Sequence, residues 1–82
     1  MLTTTRPEGV LVVNVIEAKN IPKEDMFSKS DPYVELWVEG QEHQSTHCIN
    51  NTTHPLWDSK FTFPLDEDYP HSKVYFKVYD KD

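Results

Sequence analysis

Residues 30–39 read S-D-P-Y-V-E-L-W-V-E. From Tyr33 onward the run alternates. Val34, Leu36 and Val38 fall on one side of an extended chain, and Tyr33, Glu35, Trp37 and Glu39 fall on the other. A period of two with one apolar face marks a strand that buries one side. The same pattern recurs on either side of this stretch. Upstream, G-V-L-V-V-N-V-I-E-A (9–18) is rich in β-branched residues and aligns Leu11, Val13 and Val15. Downstream, Q-S-T-H-C-I (44–49) reads as a short strand. W-D-S-K-F-T-F-P-L (57–65) aligns Trp57, Phe61, Phe63 and Leu65 as core. K-V-Y-F-K-V-Y-D (73–80) turns Val74, Phe76 and Val78 inward and Tyr75, Lys77 and Tyr79 outward.

Turn chemistry separates these runs. Pro22 opens a polar loop, Gly40 begins a turn, and N-N-T-T-H-P (50–55) consists of turn formers. No segment carries a helical period, and there is no repeat. Five short strands at this spacing predict an all-β, antiparallel Greek-key sandwich. Five strands also leave edges exposed and a second sheet unfilled. The expectation is therefore an incomplete sandwich that ends soon after Asp80 and tends to associate through open edges. Residues 1–8 read as an N-terminal tail and 9–82 as the domain.

Bulk composition narrows the function. Eight basic against fourteen acidic residues give a net charge of −6. Nucleic-acid binding needs a basic face that displaces counterions, so the charge argues against that class. The same charge opposes unaided attraction to an anionic membrane. The single cysteine, Cys48, rules out an internal disulfide. The N-terminus M-L-T-T-T-R-P has no apolar signal core, which predicts a cytoplasmic setting. On that reading the N-x-[ST] matches at Asn50 and Asn51 are chance.

With the strand pattern in place, several stretches resemble the C2 domain family. S-D-P-Y-V-E-L (30–36) is close to that family's most recognisable motif. G-V-L-V-V-N-V-I-E-A-K-N-I (9–21) is similar to its first conserved strand. N-N-T-T-H-P-L-W-D-S-K-F-T-F (50–63) resembles its N-P-x-W segment, with His54 where Asn is common. V-Y-D-K-D (78–82) resembles the strand end that opens a calcium-binding loop. The resemblance spans 9–82 and about five of the family's eight strands. A start on the 9–18 strand, together with D-M-F-S-K-S-D-P-Y-V-E-L (25–36), is similar to the permuted cytosolic phospholipase A2-like group.

That resemblance implies chemistry. Asp25 and Asp31 bracket one loop, Asp80 and Asp82 form a D-x-D at a strand end, and Asn51 lies in a third loop. By carry-over from the family, these five would hold Ca²⁺, a hard cation that takes six to eight oxygen ligands. Two like unit charges about 4 Å apart repel by about 4 kcal/mol at an effective dielectric near 20, so a carboxylate cluster is poorly explained by stability. Met26 and Phe27 sit within the first loop, where they would insert into a phospholipid surface, each contributing roughly 1.5–3 kcal/mol on burial. Bound Ca²⁺ would cancel the local negative potential that opposes docking. The implied function is a calcium-dependent, peripheral membrane-targeting module. The alternative is a calcium-independent interaction domain that recruits a protein through the sheet face, where Trp37 and Tyr79 are outward, or through an open edge. Any catalysis is expected in a domain outside this stretch. His43, His47, Cys48 and His54 match no zinc spacing, and neighbouring strand residues such as His47 and Cys48 point to opposite faces.

Overall fold

The computed structural model describes residues 1–7, 9–21, 31–65 and 73–81 of the 82-residue chain. These residues form six strands: β1 (Leu2–Thr5), β2 (Val10–Glu17), β3 (Pro32–Val38), β4 (Gln44–Ser45), β5 (Leu56–Pro64) and β6 (Val74–Asp80). They make two three-stranded sheets, ordered β1-β2-β5 and β4-β3-β6, and every pairing is antiparallel. The chain crosses between sheets from β2 to β3, from β4 to β5 and from β5 to β6. An antiparallel β-sandwich was the expectation, and the architecture agrees with it.

The core lies where the alternation places it. Leu11, Val13 and Val15 of β2 are buried, and so are Val34, Leu36 and Val38 of β3, with Trp57 and Phe63 of β5 beside them. Phe61 and Leu65 are half-buried and pack against this cluster. Register is pinned because a one-residue slip of β3 would turn its entire apolar set to solvent. The β2–β5 register shifts between Val15↔Ser59 and Glu17↔Leu56. Two β5 residues there oppose one of β2, a bulge in which Asp58 takes the left-handed conformation at φ 47°.

Three expectations change. First, residues 2–5 are not a tail: they form β1 on the flank of β2, from Leu2↔Val15 to Thr5↔Val12. Met1 extends the contact, its carbonyl accepting the Ile16 N–H at 2.9 Å. Three β-branched threonines suit a strand. Second, the 44–49 strand shrinks to Gln44–Ser45, while the addition of β1 gives six strands among the described residues rather than five. Buried Thr46 is the reason. Its N–H donates to the Val34 carbonyl at 2.8 Å, but its hydroxyl accepts the Val34 N–H at 2.9 Å in place of a main-chain carbonyl. Third, Val74 and Phe76 do not enter the core. They lie on the inner side of β6, yet remain 37% and 52% exposed.

Candidate metal centre

Four strand termini meet at one end of the sandwich. β2 ends at Glu17 opposite Leu56, the first residue of β5. β3 begins at Pro32 opposite Asp80, the last residue of β6. Trp57 joins the two sheets there, its indole N–H donating to the Pro32 carbonyl at 3.4 Å. The end is therefore a single platform, and its loops inherit their positions from the strands beneath them.

Asp31 is the centre of that platform. Its main-chain N–H donates to Asp80 Oδ1 at 2.8 Å. Its carbonyl accepts the Lys81 N–H at 3.0 Å and the Cys48 thiol at 3.2 Å. Its own Oδ1 accepts the Asn51 main-chain N–H. Asn51 reaches that bond through a turn in the left-handed region, at φ 59°, a conformation Asn tolerates better than most side chains. Residues 20 and 49 positions away in the chain are thus joined to Asp31 through its carboxylate and its amide.

The adjoining loop bases are laced to the same end. Ala18 N–H donates to the Pro55 carbonyl and Ile21 N–H to the Thr53 carbonyl, each at 3.0 Å. Asn20 N–H donates to His54 Nδ1 at 3.2 Å. Ile21 and Asp31 flank the 22–30 segment, and both are fixed at the platform.

Of the sequence-derived site residues, Asp31, Asp80 and Asn51 come together. Asp25, Met26, Phe27 and Asp82 lie outside the described residues. The carboxylates of Asp31 and Asp80 are hard oxygen donors on adjacent strand ends, the donor type that Ca²⁺ takes. Among the described residues, no three His, Cys, Asp or Glu side chains gather as a metal cluster. Asn51 contributes its N–H here. Sequence reading missed Cys48 and His54 as supports of the platform. Only the departure from Asn at position 54 pointed toward the second of them.

The outer face of the β4-β3-β6 sheet carries a separate feature. Trp37 stacks on His43 with centroids 4.0 Å apart and on Tyr75 at 5.5 Å, and Tyr33 stacks on Tyr79 at 5.4 Å. His43 Nδ1 also lies 3.1 Å from Glu35 Oε1. The Trp37–Tyr75 and Tyr33–Tyr79 stacks are cross-strand pairs set by the β3–β6 register, and His43 joins them from the residue before β4.

Comparison with known proteins agrees with the fold. The C2 domain pattern matches residues 9–82. A calcium-dependent lipid-binding protein of Arabidopsis thaliana is 32% identical over 77 residues, which is 94% of this chain and 15% of that protein. Human GIVD cytosolic phospholipase A2 superposes with a TM-score of 0.81 at 31% identity, over 89% of this chain and 10% of that one. A C2 domain of RIM from Drosophila, at 15% identity, shares the fold alone, with a TM-score of 0.89 over 99% of this chain and 71% of that one. This chain therefore spans a small part of the longer relatives it matches. With its two sheets, its Asp31 motif and a match across residues 9–82 all in agreement, the chain belongs to the C2 domain family.

Proposed function

We propose that this chain is a calcium-dependent phospholipid-binding module that docks peripherally on a cytoplasmic membrane surface. In this reading Asp31 and Asp80 are the inner calcium ligands, and Asp25, Asp82 and the Asn51 amide oxygen complete the set. Met26 and Phe27 enter the lipid interface. The single observation that carries the reading is the joining of Asp31 to both Asp80 and Asn51 at one end of the sandwich. The anchoring of Ile21 and Asp31 at that end supports placing the intervening loop, with Asp25, Met26 and Phe27, beside the same carboxylates. The relative in Arabidopsis thaliana described as calcium-dependent and lipid-binding supports the ligand class. Ca²⁺ would supply positive charge between the carboxylates and offset the net charge of −6 near an acidic or zwitterionic headgroup layer. No catalytic step is assigned to these residues.

Calorimetric titration of Ca²⁺ tests the metal reading, and sedimentation with phosphatidylcholine vesicles in calcium or chelator tests docking. Saturable binding weakened by Asp31→Asn, with vesicle binding lost in chelator, is the expected result. A folded chain that binds vesicles equally in chelator would overturn it.

A second reading has its own observation. The aromatic stacks of Trp37, Tyr75, Tyr33 and Tyr79 on the outer sheet face suit a calcium-independent protein contact. Substituting Trp37 would then abolish partner binding without touching calcium affinity.

A further inference from the structure

The outer face of the β4-β3-β6 sheet carries an aromatic ridge flanked by carboxylates. β3 is the middle strand of that sheet, paired on both sides, so the placement of its outward side chains owes nothing to an open edge. Trp37 stands between His43 and Tyr75, with centroid distances of 4.0 and 5.5 Å and interplanar angles of 9° and 16°. Rings stacked on both sides hold the indole in one orientation, which leaves little rotamer freedom to lose when a partner arrives.

Glu35 and Glu39 flank Trp37 along the chain and share its face by the period of two. Glu39 N–H donates to the Lys73 carbonyl at 2.9 Å, which carries the ladder one residue past β3. Both carboxylates have capacity left. Glu35 Oε1 lies 3.1 Å from His43 Nδ1, and the Glu35 side chain remains 30% exposed. Glu39 and Glu42 are exposed and, among the described residues, enter no ion pair. Residues 31–59 contain no Lys or Arg. The cations of this face, Lys73 and Lys77, lie on the β6 side, and Lys77 Nζ sits over the Tyr79 ring at 5.1 Å. The β3–β4 half of the face is therefore aromatic and negative.

We propose that this half of the face binds an extended, arginine-bearing segment of a protein partner, with two arginines four residues apart and an apolar residue midway. The proposal rests on the second reading above, in which the outer face takes a protein. In an extended chain residues i and i+4 point the same way, about 13 Å apart at roughly 3.3 Å per residue. Glu35 and Glu39 have the same separation in sequence. A segment lying along β3 sets one guanidinium against each carboxylate and its central apolar side chain on the Trp37 ridge. Arginine suits the site better than lysine, because its planar fork meets a carboxylate through two parallel bonds and also packs on aromatic rings. An aromatic anchor rimmed by polar groups is the usual anatomy of an interaction hot spot. Glu35, Glu39 and Glu42 repel anionic headgroups, which disfavours a lipid surface here. A choline-type cation binds over a ring face, and both faces of the Trp37 indole are taken. Asp31 lies at the opposite end of β3, so this contact is independent of calcium.

An NMR titration of the 82-residue chain in chelator with the peptide Arg-Ser-Leu-Ser-Arg tests this. The expected result is saturable movement of the Trp37 indole N–H and the Glu35 and Glu39 amides, with a dissociation constant below about 1 mM. Binding should weaken as salt rises. Glu39→Gln and Glu35→Gln should each weaken it by about threefold or more, with circular dichroism unchanged. The Glu35 substitution keeps an oxygen for His43. Equal binding by a peptide with glutamine at both arginine positions would overturn the arginine assignment and leave the protein-contact reading standing. Equal binding with the arginines three residues apart would overturn the register along β3. No movement of the Trp37 signal at millimolar peptide, or movement of that signal by phosphatidylserine vesicles in chelator, would refute the proposal outright.

Discussion

Replacing Asp31 by Asn separates the calcium role of this carboxylate from its structural one. The main-chain bonds of Asp31, to Asp80 Oδ1 at 2.8 Å and from Lys81 at 3.0 Å, do not involve the side chain and survive. The Asn51 N–H keeps an acceptor, because an Asn side chain retains one oxygen in place of Oδ1. That bond weakens from charge-assisted to neutral, a cost of about 1 kcal/mol. Removing one of two neighbouring negative charges acts in the opposite direction by a similar amount at a solvent-accessible site. The metal-free variant should therefore match the parent within about 1 kcal/mol, or roughly 4–8 °C in melting temperature for a chain of this size. Calcium should behave differently. A ligand at 100 times its dissociation constant stabilises a fold by about 2.7 kcal/mol. A loss of hundredfold affinity reduces that to roughly 0.4 kcal/mol at the same calcium concentration. Thermal melts by circular dichroism, in chelator and in calcium, read both numbers. The parent should gain on the order of 10–20 °C with calcium and the variant almost nothing. Equal calcium shifts in parent and variant would refute the role given to the Asp31 carboxylate. A variant that fails to fold in chelator would refute the claim that its structural role is dispensable.

Leu36→Ala, at a fully buried position between the sheets, should cost about 2–5 kcal/mol in urea unfolding, a large share of what a chain this short has available. Thr46→Val should cost about 1–3 kcal/mol because the Val34 N–H loses its hydroxyl acceptor in a buried setting, and Thr46→Ser should cost clearly less, as denaturant midpoints would show. Phe27→Ala should leave calcium titration in solution unchanged while weakening vesicle sedimentation by about ten- to a hundredfold, the equivalent of burying one large apolar side chain.

The strands and the core were largely legible in the sequence, since alternation is a local property. Leu11, Val13 and Val15, and then Val34, Leu36 and Val38, can be placed on a buried face from spacing alone. β1 was not legible, because Leu2–Thr5 is too short for alternation and becomes a strand only through β2 beside it. The burial of Phe76 was misread for a related reason. Period two assigns a side of the strand but does not say whether anything covers that side, and at Phe76 little does. The early end of β4 depends on the Thr46 hydroxyl replacing a main-chain acceptor, a competition that propensity cannot register.

By itself, then, the sequence determined an antiparallel β protein, its family motif around Asp31, and a net charge of −6. Only the tertiary structure decided which oxygens share a neighbourhood. Asp31 meets Asp80 because β3 and β6 pair in one particular register, and it meets Asn51 because Trp57 and the loop bases bring the second sheet to the same end. Side-chain period is written into a few adjacent residues. Pairing depends on contacts between residues tens of positions apart, whose closure entropy is repaid only when the whole core forms.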